Sequence, residues 1–110
     1  MWGNPMTDAV LVLTTLGGQA DGPAFGRSLV DARLAACVSL LPPMTSTYRW
    51  KGGVEQAQEQ QVVIKTTRAR LEALRAWMAA HHPYEVPEFL VLPVAEGGEA
   101  YLAWLTESVR

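Results

Sequence analysis

A chain of 110 residues with 49% hydrophobic and 18% charged residues is sized for one hydrophobic core and is too short for two. Its formal net charge of −2 argues against a nucleic-acid module, which concentrates basic residues on one face. The single cysteine, Cys37, excludes an internal disulfide framework and a Cys-x-x-Cys metal loop, and it fits a reducing compartment.

The start, Met1-Trp2-Gly3-Asn4-Pro5, has neither the basic region nor the long apolar region of a signal peptide. No apolar run approaches the roughly 20 residues needed to cross a bilayer. The expectation is a cytoplasmic protein without membrane association. Residues 1–6 read as a flexible tail, with Met6 as an alternative start, and residues 7–110 as a single domain.

Ala9-Val10-Leu11-Val12-Leu13 is a continuous apolar run, the pattern of a strand covered on both faces, and Gly17-Gly18 ends it. Phe25, Leu29, Val30 and Leu34 recur at helical spacing and predict a helix from Asp21 to Ala35, weakened by Gly26. From Ala36 the period changes. Cys37-Val38-Ser39-Leu40-Leu41 and Thr45-Ser46-Thr47-Tyr48-Arg49-Trp50 read as strand, interrupted by Pro42-Pro43, which marks a kink or an edge because proline donates no ladder hydrogen bond. Lys51-Gly52-Gly53 signals a turn, and Val54 to Thr66 returns as strand.

This hairpin is too long for its domain. Each arm of about 14 residues reaches roughly 45 Å at about 3.3 Å per residue, whereas a domain of this size has a radius of gyration near about 13 Å. Part of the hairpin therefore projects past its own core and calls for a partner subunit to cover it.

Leu71, Leu74, Met78 and His81 share one face of a second helix, with Arg68, Arg70, Glu72 and Arg75 mostly outside, and Pro83 stops it. Phe89-Leu90-Val91-Leu92-Pro93-Val94 is a further strand, and Gly97-Gly98 leads into a last helix carrying Tyr101, Leu102, Leu105 and Val109. The order βαββαβ plus a C-terminal helix predicts an α+β, ferredoxin-like sandwich with a long hairpin between its second and third strands.

That topology hosts many functions, and local strings narrow it. Arg33-Leu34-Ala35-Ala36-Cys37-Val38, Tyr48-Arg49-Trp50-Lys51-Gly52, Ile64-Lys65-Thr66, His82-Pro83-Tyr84-Glu85-Val86-Pro87-Glu88, Leu92-Pro93-Val94 and Tyr101-Leu102-Ala103-Trp104-Leu105 resemble, in order and spacing, the CutA divalent-cation tolerance family. The resemblance implies a homotrimer packed around a three-fold axis, a fold shared with the PII signalling proteins, association with divalent-metal tolerance, copper binding in some members, and no settled catalytic activity. Two departures stand out. Thr14 occupies the place of a cysteine proposed as a metal ligand in some members, which puts a cysteine-based copper site in doubt. Pro42-Pro43 replaces a Pro-Gly and reads as a local backbone variation.

His81 and His82 are the candidate metal ligands, since imidazole suits copper and zinc. Adjacent helical residues point about 100° apart, so the two rings do not naturally clamp one ion. The expectation is weak capture of Cu(II) or another divalent cation, with no organic cofactor, and with His81, next to Met78 on the apolar stripe, filling a core or interface position. Cys37 reads as a small buried hydrophobe. Tyr48, Trp50, Glu59, Lys65, Tyr84 and Glu88 cluster at the family-motif positions. Carboxylates and a lysine beside aromatic walls describe a small polar ligand site, or equally a structural ion pair of Lys65 with Glu59 or Glu88 in the trimer interface.

Three other functions of this topology lack their residues. An acylphosphatase needs an asparagine, and Asn4 is the only one; an RNA-recognition sheet needs aromatics where Val62-Val63-Ile64 stands; a copper chaperone needs two cysteines. The reading is a trimeric cytosolic protein of divalent-metal (copper) tolerance, not an enzyme, taking a metal ion or an unknown small ligand at a subunit boundary. The alternative is a structural trimeric module related to PII proteins without a physiological metal site.

Overall fold

Residues 9–17 form β1 (Ala9–Gly17), the strand on which the sheet is built, in a computed structural model that describes residues 7–110. The tail expected over residues 1–6 lies outside the described residues. β1 alternates between two apolar faces. Val10, Val12, Thr14 and Leu16 are buried on one, while Leu11 and Leu13 are half-covered on the other.

Helix α1 (Gly22–Asp31) starts where Asp21 accepts a hydrogen bond from the Ala24 amide at 3.0 Å, with Pro23 in its first turn. It ends four residues earlier than the apolar spacing predicts. Arg33 adopts φ 59°, and the Arg33 and Leu34 amides return to the Val30 and Leu29 carbonyls at 3.0 Å each, a left-handed cap that turns Leu34 into the core. Gly26 sits mid-helix for a packing reason: a Cβ there would come within 3.2 Å of Val38.

β2 (Cys37–Leu40) and β3 (Met44–Trp50) form the first arm of the hairpin and β4 (Gly53–Thr67) the second. Lys51 and Gly52, at φ 49° and 82°, make the two-residue turn between Trp50 and Gly53. Sheet order is β2-β4-β1-β5, with β3 pairing the distal half of β4. The molecule measures 44 × 34 × 25 Å, with a radius of gyration of 15.0 Å. That elongation matches the projecting hairpin.

The proline pair does more than vary the backbone locally. Leu40 pairs with Val62 and Met44 with Glu59, so three residues on this arm face two on β4. The extra residue is a bulge. Val38 and Leu40 pair with Ile64 and Val62, whose side chains are buried against the helices, whereas Tyr48 pairs with Glu55 and shares the face of Glu59. The bulge thus reverses which face the even-numbered residues of this arm present.

A short 3-10 turn (Arg68–Arg70) leads into α2 (Leu71–His81), whose Leu74 and Met78 are buried against β1, β4 and α1. His81, predicted on that stripe, is exposed instead: the helix ends there, and its ring stacks on Trp77 at 4.3 Å. β5 (Leu90–Pro93) pairs with β1, and α3 (Glu99–Ser108) folds back so that Leu105 and Val109 bury Ala9 and Ala36 in a second, smaller cluster. Cys37 is half-buried with Sγ 3.7 Å from Ser39 Oγ, on the sheet face away from α1 and α2, and is not the buried core residue expected. Among the described residues no helix is long and apolar enough to cross a membrane.

Candidate functional site

A cavity of about 650 Å³ opens where the hairpin leaves the body of the sheet. β3 supplies Tyr48 and Trp50, β4 supplies Glu55 and Glu59, β1 supplies Thr15, and the loop after α2 closes the rim with Pro83, Tyr84, Glu85, Val86, Pro87 and Glu88. Five of the six predicted ligand residues meet here. The sixth, Lys65, does not.

The loop from His82 to Phe89 has no regular secondary structure, so side chains fix its course. His82 is the anchor, with 9% of its surface exposed. Its Nε2 lies 2.8 Å from the Thr15 carbonyl, which can only accept, and its Nδ1 accepts the Tyr84 amide at 3.1 Å. Both ring nitrogens are therefore engaged, and the neutral Nε2–H tautomer is imposed by the two partners. The predicted His81–His82 metal pair is not assembled. His82 has no lone pair to offer, and His81 sits outside, its Nδ1 2.9 Å from the Trp77 carbonyl. Among the described residues, no group of three or more His, Cys, Asp or Glu side chains is placed to share an ion.

Tyr84 turns inward and donates from its hydroxyl to Glu59 Oε2 at 2.7 Å. Burial, reinforced by that hydrogen bond, by the Glu59 charge and by Tyr48, pushes the Tyr84 hydroxyl up to about 12. At neutral pH it is a fixed donor and not an acid or base. Glu88 is held similarly: Gln61 Nε2 donates to its Oε2 at 2.9 Å and to the Thr14 carbonyl at 2.8 Å. Gln61 thus positions the rim from below.

Lys65 shares a sheet face with Glu59 but lies six residues along β4, which is about 20 Å at the strand rise. Its Nζ sits 5.7 Å over the Tyr101 ring and 3.4 Å from its hydroxyl. Within its own chain Lys65 meets neither Glu59 nor Glu88, so the pairing expected in the trimer interface would have to form between subunits; the ion pairs among the described residues are Arg27–Asp31 and Arg110–Glu107. Glu55, Glu59, Glu85 and Glu88 line the cavity, and among the described residues no lysine, arginine or histidine does.

Thr14, where some relatives carry a proposed thiolate ligand, is fully buried on the helix-covered face, and its Oγ1 has no hydrogen-bond partner. A side chain at this position points into the core and away from the cavity. Sequence reasoning missed Glu55, Glu85 and Gln61. Glu55 was reachable: a two-residue turn at Lys51-Gly52 places it opposite Tyr48. Glu85 was reachable too, within the same string as Tyr84 and Glu88, whereas Gln61 carries no local signal, since its role depends on where the loop lands.

Fold and site together define a ferredoxin-like domain with a projecting hairpin and an acidic, aromatic-walled cavity at the hairpin's base. Residues 10–108 match the family described as CutA1 divalent ion tolerance protein. The chain is 44% identical over 106 residues to the divalent-cation tolerance protein CutA of Pectobacterium atrosepticum, covering 96% of each. It superimposes on CutA from Synechococcus elongatus with a TM-score of 0.89 at 39% identity, covering 97% of this chain and 95% of that one. The divalent cation tolerance protein Cut A1 from Thermus thermophilus gives 0.88 at 41% identity, covering 93% and 99%. The chain belongs to the CutA1 divalent ion tolerance family.

Proposed function

We propose that this protein is a cytoplasmic homotrimeric binding module of the divalent-cation response, without catalytic activity, and that its ligand enters the cavity between Trp50, Glu59 and Tyr84. The observation that carries this reading is Glu59: a carboxylate with 9% of its surface exposed, steadied by a neutral tyrosine, open to a cavity and facing no cation of its own chain. Lys65 lies six residues from it along β4, so a structural ion pair at Glu59 would need a lysine from a neighbouring subunit.

The surface supports assembly. On the sheet face away from α1 and α2, Leu90 and Leu92 are 54% and 41% exposed, and Leu11, Leu13 and Val63 lie beside them. Tyr101 and Trp104 of α3 add exposed aromatic area. β2, β3 and β5 end the sheet, and Val54 stands 66% exposed on the hairpin. Neighbouring subunits would cover this face and close the open side of the cavity. The reading without catalysis takes Tyr84, held neutral, and His82, engaged at both nitrogens, as structural groups and the cavity carboxylates as ligand-binding ones. A Cu(II) ion or another divalent metal has one exposed imidazole, His81, to bind, which supports weak capture only.

Sedimentation equilibrium combined with calorimetric titration of the metal-free protein tests the reading. A trimer at micromolar concentration, whose Trp50 emission responds to a bound ligand, is expected. A monomer, or a trimer that takes ligands without disturbing Trp50, would count against it.

A further inference from the structure

We infer that the cavity takes a small organic ammonium cation, held by Glu59 and the neighbouring carboxylates against the rings of Tyr48 and Trp50. This rests on the reading of the cavity as the ligand site and adds the ligand's chemical class.

Charge is the first argument. Among the described residues of the chain four carboxylates line the cavity and no basic side chain does, which disfavours phosphates and carboxylates there. Burial is the second. Glu59 Oε2 receives the Tyr84 hydroxyl, and among the described residues Oε1 receives no hydrogen bond. That leaves one oxygen of a largely buried carboxylate open to the cavity, an acceptor that a cation's charge complements.

The arrangement favours an extended cation over a metal ion. The carboxylates are spread around the walls and do not converge: among the described residues no three acidic, histidine or cysteine groups could share one ion. Glu59 is fixed by Tyr84 and Glu88 by Gln61, so they cannot collapse onto a point charge without breaking those bonds. Aromatic rings beside carboxylates instead match the needs of an ammonium group, whose charge a ring face attracts and whose N–H groups a carboxylate accepts. At about 650 Å³ the space suits a molecule of metabolite size.

The test is calorimetric and tryptophan-fluorescence titration of the full chain with spermidine and choline, alongside ATP and Zn(II), at low and high salt, the Trp50 response being the part that Trp50→Phe removes. Spermidine or choline is expected to bind and perturb Trp50, with affinity falling at high salt. Glu59→Gln should weaken that binding by at least about tenfold. Glu55 and Glu85 are exposed, so the double variant E55Q/E85Q keeps the test valid should Glu59→Gln misfold, and it should weaken binding several-fold. No amine binding up to about 10 mM would overturn the proposal, as would binding untouched by these substitutions. Tighter binding of ATP or Zn(II) at Trp50 would overturn the ammonium assignment while leaving the cavity a ligand site. Silence of Trp50 toward every probe would overturn both.

Discussion

The Tyr84 hydroxyl and the Glu59 carboxylate meet at 2.7 Å, joining an irregular loop to the middle of the longest strand across 25 positions of sequence. That bond fixes the back wall of the cavity. Tyr84→Phe should therefore cost about 1–3 kcal/mol of stability, because a buried acceptor loses its donor. Thermal or urea unfolding of the two proteins measures it.

The same bond sets an alkaline limit. Tyr84 is raised from its ordinary 10.0 to about 12 in the folded protein, so between those values the unfolded chain releases a proton that the folded chain keeps. The stability Tyr84 contributes is fully present below pH 10 and is lost as pH rises through about 12. Ultraviolet titration of tyrosinate should show a component near pH 12 that Tyr84→Phe abolishes and that Glu59→Gln moves downward. A wild-type curve without it would contradict the burial of that hydroxyl.

His81 and His82 should separate cleanly. His82→Ala removes two hydrogen bonds and a buried ring and is expected to cost about 2–4 kcal/mol, with loosening of the loop that follows. His81→Ala, at an exposed position, should stay within about 0.5 kcal/mol and should remove whatever weak Cu(II) binding the wild type shows. Denaturation and Cu(II) titration of the two single variants decide it.

Two backbone and core positions offer gains. Arg33 holds a left-handed conformation that a Cβ disfavours, and Arg33→Gly should stabilise by about 0.5–1 kcal/mol. Thr66 is fully buried with an unpartnered Oγ1, as is Thr14. Thr66→Val, which keeps the shape and removes the stranded hydroxyl, should raise stability by about 1 kcal/mol. Midpoint shifts in urea report both.

Much of this was legible in the chain itself. Apolar runs and helical spacing located the strands and helices, and the length of the hairpin foretold its projection. Tyr48, Trp50, Tyr84 and Glu88 were found through family strings and Glu59 as a carboxylate on the same hairpin, and the structure brings them together. What failed did so for physical reasons. Counting alternation from Val38 and Leu40 would turn Tyr48 toward the helices, and only the bulge at Pro42-Pro43 reverses it. Lys65 has the right parity but, within its own chain, lies six residues along β4 from Glu59. His81 and His82 exchange their expected surroundings because α2 ends between them, and no periodicity reports which way the chain turns after a helix stops. The Nε2 of His82 is committed by the carbonyl of Thr15, 67 residues away, and its Nδ1 by the amide of Tyr84.

The most direct measurement is ligand titration of metal-free protein bearing Glu59→Gln beside the same titration of His81→Ala. The account predicts that Glu59→Gln loses the ligand that perturbs Trp50 while His81→Ala keeps it. Retention in Glu59→Gln together with loss in His81→Ala would place the site on the helix end and contradict the account.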